Sequence, residues 1–139
     1  MKRILIGAGA ILILLVIALV IALIVTMPKH PPKLSGHDAE IEQEGMEFGK
    51  TIDQRGCMTE GLRRGNRLGL LDIDAQIENE YFVRGCLESS HPVEGFCDGV
   101  PTVWKNLITE WDEKQCDKVN VPSTICKGIF KEKMEFCHR

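Results

Sequence analysis

The chain of 139 residues carries 17 Lys and Arg against 20 Asp and Glu, a formal net charge of −3. Lys2 and Arg3 precede a long apolar run, so 15 basic and 20 acidic residues follow that run. An acidic domain without a basic run is a poor binder of phosphate backbones, because that affinity comes from clustered Lys and Arg. The same charge balance argues against adsorption on anionic lipid. We therefore expect no nucleic-acid partner.

Residues 4–27 form an apolar run that contains no charged side chain. A helix of this length reaches ~36 Å, which exceeds the ~30 Å hydrocarbon core of a bilayer. A single segment satisfies its backbone groups in lipid only as a helix. We therefore predict one transmembrane helix that contacts the lipid bilayer, with residues 1–27 forming a membrane anchor and a short cytoplasmic N-terminal tail. The run is longer than a signal-peptide core and lacks an Ala-x-Ala site, so we expect an uncleaved signal anchor.

The orientation of the anchor is inferred from its flanks and from the cysteines. Two basic residues lie near each end of the apolar run, so the flanking charge is almost uninformative. The very short N-terminal tail and the position of all six cysteines beyond the anchor favour a cytoplasmic N-terminus. We expect a single-pass protein of the inner or cell membrane, with its C-terminal domain in the periplasm or another extracytoplasmic space. Ala18 and Ala22 have a spacing that allows two helices to approach closely, with chance occurrence in an Ala-rich anchor as the alternative.

Three prolines within five positions, Pro28, Pro31 and Pro32, follow the anchor. Proline stops a helix and holds the chain extended, so residues 28–37 are predicted to be a Pro-rich tether. Residues 38–139 are then the domain.

Apolar residues recur at helical spacing from residue 38 onward, and we find no convincing alternating strand. Asp72 and Thr102 are N-cap candidates for two helices, and Pro122 precedes the last helix. The fold class is predicted to be all-α: a single N-terminal transmembrane helix followed by a small irregular bundle of four or five helices. The residues expected on inward faces are Ile41, Gly45, Phe48, Ile52, Ile73, Ile77, Tyr81, Leu87, Val103, Trp104, Leu107, Ile108, Trp111, Ile125, Ile129, Phe130 and Phe136.

Six cysteines in a small domain beside an anchor indicate three disulfides in an oxidising compartment, and six free buried cysteines are the alternative. Cys126 and Cys137 share one helix pattern and lie ~16 Å apart along its axis, too far to bond. Two pairs, Cys116–Cys126 and Cys86–Cys97, each straddle a turn that contains proline. We predict the pairs Cys86–Cys97, Cys116–Cys126 and Cys57–Cys137. A twin helical hairpin would instead pair Cys86 with Cys137 and Cys97 with Cys126.

Motifs for catalysis or cofactor binding are missing from the sequence. It contains no Cys-x-x-Cys, no His-Glu-x-x-His and no phosphate-binding glycine loop. His91 and His138 lie near cysteines, but their spacing matches no usual zinc finger, and surface histidines are the simpler interpretation. We predict no catalytic residue, no metal site and no cofactor.

Two groups of residues are candidates for binding a partner. Phe96, Trp104 and Trp111 concentrate rigid apolar surface in one segment, and such side chains dominate interface energetics where they are exposed. Core packing is the alternative. Several arginines before a glycine turn could bind an acidic partner or simply face solvent. The arginines are Arg55, Arg63, Arg64 and Arg67, of which the last three are our candidate partner-binding residues.

The anchor, the disulfides and the missing catalytic motifs predict a function without catalysis. We expect a membrane-anchored extracytoplasmic domain that serves as an accessory, assembly or interaction subunit of a membrane protein complex, with a protein partner. The alternative is a periplasmic inhibitor or immunity-type protein that binds a toxin or hydrolase. A third hypothesis is an enzyme or redox protein that uses a thiol or a metal.

Overall fold

The computed structural model describes residues 16–17 and 36–139. The chain divides into two units, Met1–Lys33 and Leu34–Arg139. Apart from Val16 and Ile17, which are helical, the predicted anchor lies outside the described residues, as do residues 28–35 of the predicted tether. Among the described residues, no helix combines the length and apolar character needed to cross a membrane.

Residues 36–139 contain six α-helices, where the sequence predicted four or five. The additional helix arises at Glu110, whose left-handed backbone (φ 49°) separates two short helices in a region expected to be continuous. The helices, in chain order, are α1 (Gly36–Gly49), α2 (Gln54–Gly65), α3 (Ile73–Ser89), α4 (Val103–Thr109), α5 (Trp111–Cys116) and α6 (Ser123–Cys137).

Capping residues mark the starts of three helices. Asp53 accepts a hydrogen bond from the backbone N–H of Gly56 (2.8 Å) and so caps the start of α2. Cys57 therefore belongs to α2 and not to a continuation of α1. Thr102 accepts from the backbone N–H of Lys105 (3.2 Å), as its predicted capping role requires. Asp72 occupies the predicted N-cap position of α3, but its carboxylate accepts from the preceding turn, at Gly69 N–H (3.1 Å).

Helices α1 and α3 meet at glycines. A Cβ atom on Gly45 would overlap the carbonyl oxygen of Phe82, and one on Gly85 would overlap the carbonyl oxygen of Glu42. The Ser89 hydroxyl donates to the carbonyl of Met46 across the same contact (2.6 Å). The two helices therefore pack backbone against backbone, which requires glycine at these positions.

The core lies between α1, α2, α3 and α6. Its buried members are Cys57, Met58, Phe82, Val83, Cys86, Leu87, Phe96, Ile125 and Ile129. Ile73 and Ile77, which were predicted to face inward, are 56% and 42% exposed, so that prediction was wrong. The buried side of α3 instead carries Gln76 and Asn79, whose amides donate to the carbonyls of Gly69 (2.8 Å) and Gly61 (3.0 Å). These hydrogen bonds use the amide N–H donors and allow polar side chains to occupy core positions, while Asn79 Oδ1 is buried without a partner among the described residues.

The disulfides are Cys57–Cys86, Cys97–Cys137 and Cys116–Cys126. The predicted Cys116–Cys126 bond is confirmed, whereas the predicted Cys86–Cys97 and Cys57–Cys137 bonds were wrong. The twin-hairpin pairs Cys86–Cys137 and Cys97–Cys126 are not formed either, and none of the six cysteines is free.

Backbone pairing near His91 explains the Cys57–Cys86 bond. The His91 N–H donates to the carbonyl of Ile52 (3.0 Å), and the Gln54 N–H donates to the carbonyl of His91 (3.2 Å). This pairing places the first turn of α2 beside the last turns of α3. Phe96 packs edge-on against Phe136, with ring centroids 6.1 Å apart. Each is the chain neighbour of a cysteine, so the ring contact brings Cys97 to Cys137.

The three disulfides differ in burial, and we expect them to be reduced in a fixed order. Cys57, Cys86 and Cys126 are fully buried, whereas Cys97 is exposed. Reduction requires access to a sulfur. Graded treatment of the native protein with a phosphine, followed by alkylation and peptide mass spectrometry, should therefore label Cys97 and Cys137 first. Labelling of Cys57 at the same rate would contradict this order.

Candidate functional site

An open pocket of about 400 Å³ lies where α2, α5, α6 and the chain after α3 meet. Its walls combine aromatic, charged and amide side chains. The lining residues are Arg55, Met58, Gly95, Phe96, Asp98, Trp111, Gln115, Phe130 and Lys133. We call this the α6 pocket.

Aromatic rings form one wall of the α6 pocket. Trp111 packs edge-on against Phe130, with centroids 5.6 Å apart and an interplanar angle of 84°. The ammonium of Lys133 lies 4.2 Å from the centroid of the Phe96 ring and 5.9 Å from that of Trp111. A cation at these distances is attracted by the negative face of an aromatic ring, which partly replaces the water that Lys133 loses.

The charged groups of the α6 pocket are not paired with one another. Burial and the neighbouring guanidinium of Arg55 lower the pKa of the Lys133 ammonium, because both disfavour its charged form. In the part of the chain that the structure describes, neither Lys133 nor Arg55 has a carboxylate within ion-pair distance. Asp98 lines the same pocket. The pocket thus holds two cations and one acid.

The three aromatic candidates occupy different environments. Phe96 is buried and Trp111 is half-buried, and both line the α6 pocket. Trp104 is not part of the pocket lining: its side chain is 81% exposed on α4, beside Leu107, which is 71% exposed. We call Val103, Trp104 and Leu107 the α4 surface. The inward face predicted for α4 is therefore wrong at these positions, because the helix is too short and too peripheral to bury them.

The arginine candidates do not form one free basic patch. Arg63 donates twice to Glu60 (2.6 Å each), and this hydrogen bonding is the main cause that lowers the pKa of Glu60 to about 2. Arg64 bonds to Glu60 (3.0 Å) and to Glu44 (2.8 Å), so it joins α1 to α2. Arg67 lines a separate pocket of about 270 Å³ beside Arg64.

Lys133 was not predicted as a site residue, and Arg55 was not predicted to lie with the aromatic residues. Lys133 follows Phe130 by three residues and precedes Cys137 by four, which puts all three on one side of a helix. A lysine between two inward-facing residues was the available signal. The sequence around Arg55 contains no such signal, because Arg55 lies in α2 and only the tertiary fold brings it to the pocket.

Comparison of the chain with protein-family models, curated proteins and solved structures finds no match. Within residues 36–139, no group of three or more His, Cys, Asp and Glu side chains is arranged to hold a metal ion. His138, one of the two histidines near cysteines, has its Nε2 2.9 Å from the carbonyl oxygen of Val100. The α4 surface and the α6 pocket are therefore the candidate functional sites of the described domain.

Proposed function

We propose that this chain is a membrane-anchored extracytoplasmic interaction domain, an accessory or assembly subunit of a membrane protein complex. The observation that carries the proposal is the α4 surface, where Trp104 and Leu107 are 81% and 71% exposed. Exposed tryptophan is typical of the anchor residues that supply most of the energy of a protein interface. The apolar run of residues 4–27 supports a location in the membrane, and three disulfides support a domain outside the reducing cytoplasm.

Two disulfides fix the segment that carries the α4 surface. Cys97 precedes α4 and is bonded to Cys137, while Cys116 follows α4 and is bonded to Cys126. Both partner cysteines lie in α6, so the segment that carries Trp104 is fixed at its two ends. A surface fixed before binding loses less conformational entropy when it binds.

Substitution of Trp104 and Leu107 by alanine should weaken partner binding about 30-fold or more, because truncating a tryptophan anchor removes ~2 kcal/mol. The test uses the tagged full chain, solubilised from its native membrane in mild detergent and quantified with whatever copurifies by mass spectrometry. Leu71→Ala is the matched control, since Leu71 is 93% exposed but belongs to the α2–α3 turn.

A partner retained equally by the alanine variant and the wild type would contradict the proposal, as would a wild-type chain that migrates alone. A captured toxin or hydrolase whose retention depends on Trp104 would assign the inhibitor function instead.

A further inference from the structure

We propose that the α6 pocket binds a ligand that presents a single carboxylate next to an aromatic ring. Arg55 and Lys133 would contact the carboxylate, and Phe96, Trp111 and Phe130 would contact the ring. The site contains no residue of the α4 surface, so the inference goes beyond the proposed function.

The charges of the pocket favour a single negative charge. Two cations and one acid, Asp98, leave one net positive charge among the lining residues. Lys133 is partly removed from water and has no carboxylate partner among the described residues, an arrangement that an incoming anion would stabilise. A monocarboxylate neutralises the pocket, whereas a phosphate dianion would leave it negative.

The apolar walls favour a ring next to that charge. Met58, Phe96, Trp111 and Phe130 line the same pocket as the two cations, and aromatic groups pack favourably edge-on against such rings. The volume of about 400 Å³ is within the usual range for small-ligand sites. Two sources supply this chemistry: a free aromatic acid, and a glutamate next to phenylalanine in a partner polypeptide.

The experiment uses the full chain in mild detergent with Trp104→Phe, which leaves Trp111 as the one tryptophan of the sequence. Trp111 emission is followed during titration with phenylacetate in one arm and with a blocked peptide containing internal Glu-Phe in the other. We expect a saturable change in emission with at least one of the two. Neutral phenylacetamide, which enters detergent at least as readily, should give no saturable change.

Two substitutions in the pocket test the contacts. Lys133→Met and Arg55→Gln should each weaken binding about tenfold, because each removes one charge-assisted contact. Lys131→Met is the matched control: Lys131 lies on the exposed side of α6 and pairs with Glu135 at 3.7 Å. The affinity of the Lys131→Met variant should equal that of the Trp104→Phe chain. Thermal unfolding of all three variants checks that each is folded.

Tighter binding of the peptide would identify a partner polypeptide as the source, and tighter binding of phenylacetate a free acid. Either result supports the inference. It is overturned if neither ligand saturates, if phenylacetamide binds as well as phenylacetate, if Lys133→Met binds like its control, or if phenyl phosphate binds more tightly than phenylacetate. None of these results affects partner capture through the α4 surface, so the two proposals fail separately.

Discussion

Replacing Arg84 by methionine is expected to destabilise the domain by about 3–5 kcal/mol, because it leaves a buried carboxylate without its partner. Arg84 donates from Nε and Nη2 to the two carboxylate oxygens of Glu132, at 2.8 and 3.0 Å. The Glu132 side chain is 0% exposed. Hydrogen bonding to Glu132 also raises the pKa of Arg84, so the guanidinium stays charged throughout the useful pH range. Urea unfolding of the disulfide-intact full chain, followed by circular dichroism, measures the loss.

Two controls separate the buried pair from arginine loss in general. Arg63→Met breaks an ion pair with Glu60 in which the arginine is 49% exposed, and should cost far less stability than Arg84→Met. The double variant Arg84→Met with Glu132→Leu should recover much of the stability, since no charge remains buried. A loss no larger than that of Arg63→Met would contradict the prediction.

Replacing Gly85 by alanine should cost about 3 kcal/mol, although alanine normally stabilises a helix interior. The added methyl group would overlap the carbonyl oxygen of Glu42 and approach the Met46 nitrogen to 3.1 Å, so α1 and α3 would have to separate. Gly36→Ala is the matched control, because a Cβ there meets nothing within 4 Å. Thermal and urea unfolding of both variants should show a large loss for the first and no loss for the second. Equal stability would mean that the two helices do not touch at Gly85.

Local sequence signals predicted the features of this fold that depend on neighbouring residues. Thr102 caps α4 and Pro122 precedes α6, as their residue types indicate. The Cys116–Cys126 bond was also predictable, because the two cysteines flank a single short turn. The other two disulfides depend on contacts between distant segments, the backbone pairing at His91 and the ring contact of Phe96 with Phe136, which no spacing rule reveals.

Of the residues that line the α6 pocket, only Phe96 and Trp111 were among the candidate partner-binding residues of the sequence. Phe96 and Trp111 lie close in sequence and share the α6 pocket, as their concentration in one segment indicated. The cations come from two other helices, so their meeting depends on the tertiary fold. The prediction of the inward face of α3 was wrong for a related reason. Apolar periodicity does not identify Gln76 and Asn79 as buried, because their burial depends on distant carbonyl acceptors.

The disulfides of Cys97 and Cys116 attach the two ends of the segment between them to opposite ends of α6. A protease that cut once within residues 98–115 would therefore release no fragment, and the two halves would stay attached. Substitutions at the exposed positions of this segment should be tolerated, because the core cluster contains none of its residues. The same geometry would let this surface diversify between related chains while the helical frame stayed constant.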